Sequence, residues 1–538
     1  MSRHVNRRPA GVAEERNIFV PQWSHRDLLW LVSLIGVGAL LPLVVAIYAG
    51  AAWIPHNDSW AHSRIAQQFA ESGQFHLVGF NRASMVGMMI PLGIVAGSIT
   101  AQHLFVVVCA GLVVGFTYAT AREFLPRIGS LLVSSTVVLA PGFALLATSY
   151  MTDVPMMAAV AGSLFFGVRF ITYGRAVNLW MSTGFGLWGV TIREQALAAL
   201  AAVVIVGWAK RREKRLLLSV AAVVCVISFV GFEVWRRSIP SDDPPEVSLA
   251  FNYAISSNIM AWCTLLLICA PLIWGSARLP ASRAGWIASA VAAAAGVLVL
   301  IRFGDGLLLG NYLSSSGAYV AMFHGTRDVI PSAVMAGLAG VSVVSAAVVA
   351  SRVTEIRARP FVPASVLLLV FIGIYAVGIF AQTAIGQGMF ERYLYPLLAP
   401  LAILLLRGVH LHRRRFGLVL AGQLGLAIVS ALIATNAWAS SAAIWATAQG
   451  LVSDSTPARH IDAGFAWVGF NSQSNVVSDD SREAHGFWAG LFDDSKQCVI
   501  VSLGGVDDVS GEVDFVPYTK FIWFGQDSVA IQTLNECL

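Results

Sequence analysis

LLWLVSLIGVGALLPLVVAIYAGAAWIPHNDSWAHSRIAQQFAESG, residues Leu28–Gly73, decides the fold. Residues 28–50 carry no charged side chain. At about 1.5 Å per residue, a helix of that length crosses a hydrocarbon core roughly 30 Å thick. The chain then turns polar: His56, Asp58, His62, Arg64 and Glu71 follow in close order. Ile65 and Phe69 fall on one face of a short amphipathic helix, Trp60–Ser72, that Gly73 would end. A membrane-length run thus delivers a charged surface segment, and the rest of the chain has to say what else meets it there.

The apolar half of that stretch recurs. Of 538 residues, 57% are hydrophobic and 12% charged, with a mean hydropathy of +0.71; a soluble domain is about a quarter charged. Runs near 28–50, 103–121, 129–147, 153–172, 177–191, 195–209, 215–233, 257–276, 285–303, 332–350, 362–382, 390–407 and 416–436 predict 13 spans. A further run, 84–100, is interrupted by Pro91 and several glycines. It reads as interfacial or re-entrant, because a full crossing would carry the basic loop AREFLPR (121–127) to the wrong side. With that choice AREFLPR, RFITYGR, KRREKR, SARLPASR, SRVTEIRAR and RGVHLHRRR all face the cytoplasm, as does the arginine-rich segment 1–27. No cleavable signal peptide is expected.

Charge then divides the chain. From Trp445 to Leu538 there are 13 acidic and 4 basic residues, whereas the whole chain is net +5. The basic excess therefore lies in the short loops and is a topology signal, not a nucleic-acid surface. The acidic end is not membrane-like: DAGFAWVGF, NVVSDD, QCVIVSL and DFVPYTKFIWFG are short β-rich or mixed stretches separated by Gly, Asp and Ser. The expected fold is a polytopic all-α membrane protein of about 13 transmembrane helices with a small α/β or β-rich extracytoplasmic C-terminal domain. Its parts are a cytoplasmic segment 1–27, a transmembrane catalytic domain 28–440 with first external loop 51–101, and an external domain 441–538. Cys109, Cys225, Cys263 and Cys269 lie in apolar runs and read as core residues, whereas Cys498 and Cys537 could pair outside the cytoplasm. Arginine outnumbers lysine 31 to 4, a composition that suits a bacterium with a GC-rich genome.

This topology gathers polar residues on the outer face. Asp58 opens the first external loop; Tyr150, Thr152 and Asp153 lie in SYMTDVPMM; Arg193 and Glu194 in GVTIREQAL; Glu391, Arg392 and Tyr393 in GQGMFERYLYP. Ionisable groups at membrane depth cost a few kcal/mol each and so point to function. Each also has a structural reading. Asp58 suits a helix N-cap, Asp153 before Pro155 a helix start, and the Arg–Glu pairs interface anchors or internal ion pairs. His56, His62 and His76 match no zinc spacing.

An external site has no nucleotide sugars or ATP, so its substrate must arrive already activated. A sugar on a polyprenyl phosphate does: the lipid stays in the bilayer and the phosphate leaves. Transfer to a hydroxyl needs a carboxylate base, and the departing phosphate needs cations, for which arginine is the preferred planar donor. No Walker A loop, Rossmann fingerprint or HExxH motif offers a competing chemistry.

NDSWAHSRIAQQFAESG, the P-L-G run after it, TDVP, IREQ and ERYLYPLLAPLAILLL together resemble the GT-C membrane glycosyltransferases. The branch is that of the protein O-mannosyltransferases and the lipid A aminoarabinose transferase, and the likeness covers roughly 28–410. It implies an inverting hexosyl- or pentosyltransferase that takes a polyprenyl-phosphate sugar, modifies a cell-envelope glycan, lipid or protein, and needs no cofactor or metal. It places the chain in a bacterial cytoplasmic membrane, among membrane lipids and without a nucleic-acid partner. By position Asp58 would be the catalytic base and Asp153 the second acidic residue. Arg392, Arg193 and Arg64 would hold the donor phosphate, with Glu194, Glu391, Tyr393, Tyr150 and His62 around the substrates. Ser59 stands where many members carry a glutamate.

Two other classes remain open on the residues alone. A glycan ligase or oligosaccharyltransferase would move a glycan from a lipid pyrophosphate, with Asp58, Asp153 and Glu391 converging on a divalent metal. A transporter or flippase for an envelope lipid or glycan would line a path with charges at mid-membrane depth.

Overall fold

The computed structural model describes residues 23–78, 86–239, 248–277, 280, 282–318, 323–326, 328–356, 362–409, 411–472, 498–504, 511–521 and 524–534. The first span forms from α1 (His25–Ile35), a π-helical turn at Gly36–Leu40 and α2 (Leu41–Tyr48). A capping box starts it: the Ser24 hydroxyl accepts from the Asp27 amide, while Asp27 accepts from the Ser24 amide. α3 (Ser59–Ser72) is the amphipathic helix, closed by Gly73 in the left-handed region. The interrupted run becomes α4 (Val86–Met89) and a 3₁₀ segment, Ile90–Gly97, with Gly93 outside helical geometry, so it falls short of a crossing.

The bundle continues through α5 (Ile99–Arg122), α6 (Arg127–Val138), α7 (Phe143–Ala147), α8 (Asp153–Tyr173), α9 (Ala176–Val190), α10 (Leu197–Lys210) and α11 (Arg215–Arg236). It is completed by α12 (Phe251–Gly275), α13 (Arg283–Phe303), α14 (Ser332–Ile356), α15 (Pro363–Ala384), α16 (Leu398–Leu406) and α17 (Arg413–Ser453). Among the described residues, nine helices are long and apolar enough to cross a membrane, by length and composition. Four of the 13 expected spans are instead short or broken. Pro141 and Gly142 separate α6 from α7; α9 and α10 have 15 and 14 residues; and 390–407 opens as a 3₁₀ turn, Glu391–Leu397, before α16. Three of these four breaks adjoin the polar motifs.

α17 runs 41 residues, about 60 Å, so it outruns the expected span 416–436 and passes through the expected domain boundary at 440/441. Beyond it come β1 (Ile461–Asp462), α18 (Phe465–Asn471), β2 (Val499–Ser502), β3 (Gly511–Lys520) and β4 (Gly525–Leu534). They form a small mixed sheet in the order β1-β2-β4-β3, parallel at β1–β2 and otherwise antiparallel. The stretch DAGFAWVGF is largely helical, not a strand. Asp462 accepts from the Gly464 amide to turn the chain, and Phe465–Gly469 are buried on every side instead of alternating. NVVSDD lies outside the described residues. α18 lies on α3, where Gly469 meets the Trp60 ring so closely that a Cβ would sit 2.4 Å from it. Cys498 is disulfide-bonded, and the expected partner, Cys537, lies outside the described residues.

Candidate active site

Asp58 sits where the first loop enters α3, one residue after Asn57 in a positive-φ conformation. Its side chain makes no capping bond, which removes the plain N-cap reading. The carboxylate keeps 28% of its surface open and lies 3.3 Å from Arg392 Nη2. Arg392 is 1% exposed, and its Nε is also 3.5 Å from Oδ1 of the equally buried Asp153. Arg193 approaches the same Oδ1, at 3.5 Å through Nη1. One guanidinium therefore bridges two carboxylates, and a second closes the array.

Local structure explains why the four charges meet. Asp153 is the first residue of α8, where the exposed amides of a helix N-terminus favour an anion. The Arg193 Nε donates to Thr152 Oγ1 at 2.5 Å, and its guanidinium lies 4.7 Å from the Tyr393 ring centre. Arg392 stacks on Phe390 at 4.7 Å and donates to Asn311 Oδ1 at 3.2 Å. Tyr375 donates to the Tyr393 carbonyl at 2.7 Å and fixes the backbone between the two rings. His62, one turn into α3, bonds through Nδ1 to the Tyr150 carbonyl at 3.0 Å. Its burial, outweighing the nearby Asp58, pushes the imidazole down to about 4, so it is neutral at pH 7. The cluster thus pairs two carboxylates with two guanidiniums around one partly open oxygen atom pair.

Other expected site residues are engaged elsewhere. Arg64 donates to the Gly469 carbonyl and the Ser472 hydroxyl, both at 3.1 Å, tying α3 to α18. Glu194 pairs with Arg236 on α11. Glu391 is buried and accepts from the amides of Asn311 at 3.0 and 3.1 Å and Tyr312 at 2.6 Å. It holds the α13–α14 connection against the site, where a Cβ on Gly142 would lie 2.1 Å from the Tyr312 ring. Asp58, Asp153 and Glu391 do not come together as a metal-holding group among the described residues.

Asn311 is the residue that reading the sequence passed over. It lies in GDGLLLGNYLSSSG, 304–317, a stretch with no charge pattern to mark it. Its only signal was position, in a loop on the same face as the motifs. Phe390, next to the Glu391–Arg392 pair, was likewise readable as an ordinary apolar residue.

No protein-family model matches the chain, and no curated protein matches it. Among solved structures, ArnT from Cupriavidus metallidurans, described as bound to undecaprenyl phosphate, is similar over 82% of this chain and 74% of that one. The two share 13% sequence identity, with a TM-score of 0.40. At that distance the likeness assigns neither an activity nor a residue's role.

Proposed function

We propose that this protein is an inverting GT-C glycosyltransferase. It would take a sugar from a polyprenyl-phosphate donor and place it on a hydroxyl of a cell-envelope acceptor, at the outer face of a bacterial cytoplasmic membrane. The observation that carries the reading is Arg392, buried between Asp58 and Asp153. Asp58 is the part-open carboxylate and serves as the base. It takes the proton of the acceptor hydroxyl as that oxygen attacks the anomeric carbon. The bond from that carbon to the phosphate oxygen breaks, its electron pair stays on the phosphate, and the anomeric configuration inverts.

Arg392 and Arg193 meet the phosphate as it leaves. Fixed guanidiniums in a water-poor site stabilise developing charge without reorganising. Asp153 holds both of them in place and offsets the repulsion between two closely set cations. In this reading the cationic role belongs to arginine and the reaction uses no metal. Neutral His62 adds no charge beside Asp58 and serves to seat α3 against Tyr150.

The test is reconstitution of the wild type with a labelled polyprenyl-phosphate sugar and envelope extract, with chelator present. Transfer of label with inverted anomeric configuration supports the reading and reveals the acceptor. Retention of configuration, or transfer only when a divalent metal is restored, contradicts it and favours a metal-dependent ligase.

A further inference from the structure

The last strand pair ends where the first and last spans end. β3 and β4 stay antiparallel and in register down to Lys520 opposite Gly525. The Phe521 amide donates to Asn436 Oδ1 at 3.3 Å. Asn436 lies about 35 Å along α17 from Arg413, by the helical rise. Because the hydrocarbon core is roughly 30 Å thick, Asn436 stands at the membrane surface opposite Arg413–Arg415. Tyr48, at the end of the span that starts with His25, reaches the same level. Tyr48 and Phe521 line one apolar cleft of about 770 Å³ between α2, α17 and β3.

At that level the hairpin presents aromatic surface. Phe524 is 78% exposed and holds φ +42, a conformation rarely occupied by anything but glycine, asparagine or aspartate. Lys520 flanks the turn beside Asp527, at 3.5 Å. A soluble surface gains nothing from a phenylalanine in that backbone state. A bilayer interface does, because aromatic rings partition into the headgroup layer.

We propose that the β3–β4 turn is a membrane anchor. Phe521 and Phe524 seat in the leaflet on the active-site side, and the C-terminal sheet stands on the bilayer beside the first and last spans. The anchor rests on the membrane-spanning reading and not on the proposed chemistry. It also accounts for how the sheet stays upright while α18 covers α3 through Arg64 and Trp60.

Phe524→Cys and Glu512→Cys, at opposite ends of the hairpin, are labelled with an environment-sensitive fluorophore in proteoliposomes, with the wild type as labelling blank. The anchor predicts blue-shifted emission at 524, several-fold stronger quenching by lipids carrying a nitroxide near the headgroup than at 512, and weak quenching by aqueous iodide. Water-like emission and equal iodide quenching at both positions would overturn it. If the Phe524→Cys chain fails to fold, the exposed Gln526→Cys reads the same turn with the same two outcomes. Glycosyl transfer is measured on the same vesicles. It should be unchanged in Phe524→Cys, so a failed anchor and a failed enzyme reading stay distinguishable.

Discussion

Arg392 is held by geometry that lysine cannot reproduce. Its Nη2, Nε and Nη1 reach Asp58, Asp153 and Asn311, while its plane stacks on Phe390. Arg392→Lys keeps the charge but loses the fork, so kcat/KM should fall on the order of 10²-fold, a few kcal/mol of transition-state stabilisation. Steady-state kinetics with a purified donor lipid checks this, and a change under threefold would remove the phosphate role. His62 gives a pH prediction. Its folded value, about 4, lies below the unfolded 6.5, so the unfolded chain binds the proton first on acidification. The stability contributed by neutral His62 is complete above about 6.5 and is lost as pH falls towards 4. Denaturation midpoints over that window should slope less in His62→Asn, by at most about 1.4 kcal/mol per pH unit. His56, pushed down to about 4 by the same burial, keeps part of the slope in both proteins. At this scale the sequence was informative about charge and blind to Asn311, because a neutral side chain in a polar loop carries no pattern until the fold sets it against an arginine.

Two elements position the site, and each can be loosened separately. The α13–α14 connection is tied down by Glu391 and presents Asn311 to Arg392. Asn311→Ala leaves the Glu391 bonds, which use backbone amides, and frees one edge of the guanidinium. It should raise donor KM and lower kcat/KM about tenfold, the usual size of one lost charge-assisted hydrogen bond. Unchanged kinetics would make the contact purely structural. At the opposite end of the bundle, buried Asp27 pairs with Arg122 at 3.2 Å and Arg127 at 2.9 Å and accepts from Tyr118 at 2.8 Å. Asp27→Ala leaves cations uncompensated and should destabilise the fold by about 3–5 kcal/mol, read as a lowered melting temperature in detergent. Periodicity found the long helices because their apolar runs are uninterrupted. It read 129–147, 177–191, 195–209 and 390–407 as unbroken full-length helices, where Pro141, Gly142 and Pro396 or simply length leave shorter or interrupted ones. IREQ lies between the ends of α9 and α10, and ERY opens the 3₁₀ turn before α16, so these breaks in periodicity fall at the site.

The whole molecule separates a basic face from an acidic end, and the disulfide adds a chemical marker for side. Four of the six cysteines are free and Cys498 is bonded. Disulfides persist in oxidising compartments, so an extracytoplasmic sheet predicts a simple count. A maleimide polymer added to denatured, unreduced protein should modify four cysteines, rising to six after reduction. Six without reduction would place the sheet on the reducing side and reverse the topology. The basic loops already implied that orientation, because each short loop votes independently. The C-terminal fold was less legible: α18 hid in a stretch whose aromatic residues imitate a strand, and the extension of α17 past 436 carries no marker where the membrane ends.

Asp58 as the base and the arginines as holders of the leaving phosphate can be separated in one comparison. Wild type and Asp58→Asn, matched for melting temperature, are compared for polyprenyl-phosphate binding and for single-turnover transfer with chelator present. Binding should stay within about threefold of wild type, and transfer should fall about 10²–10⁴-fold, the usual contribution of a positioned base. Transfer by Asp58→Asn at the wild-type rate would contradict it.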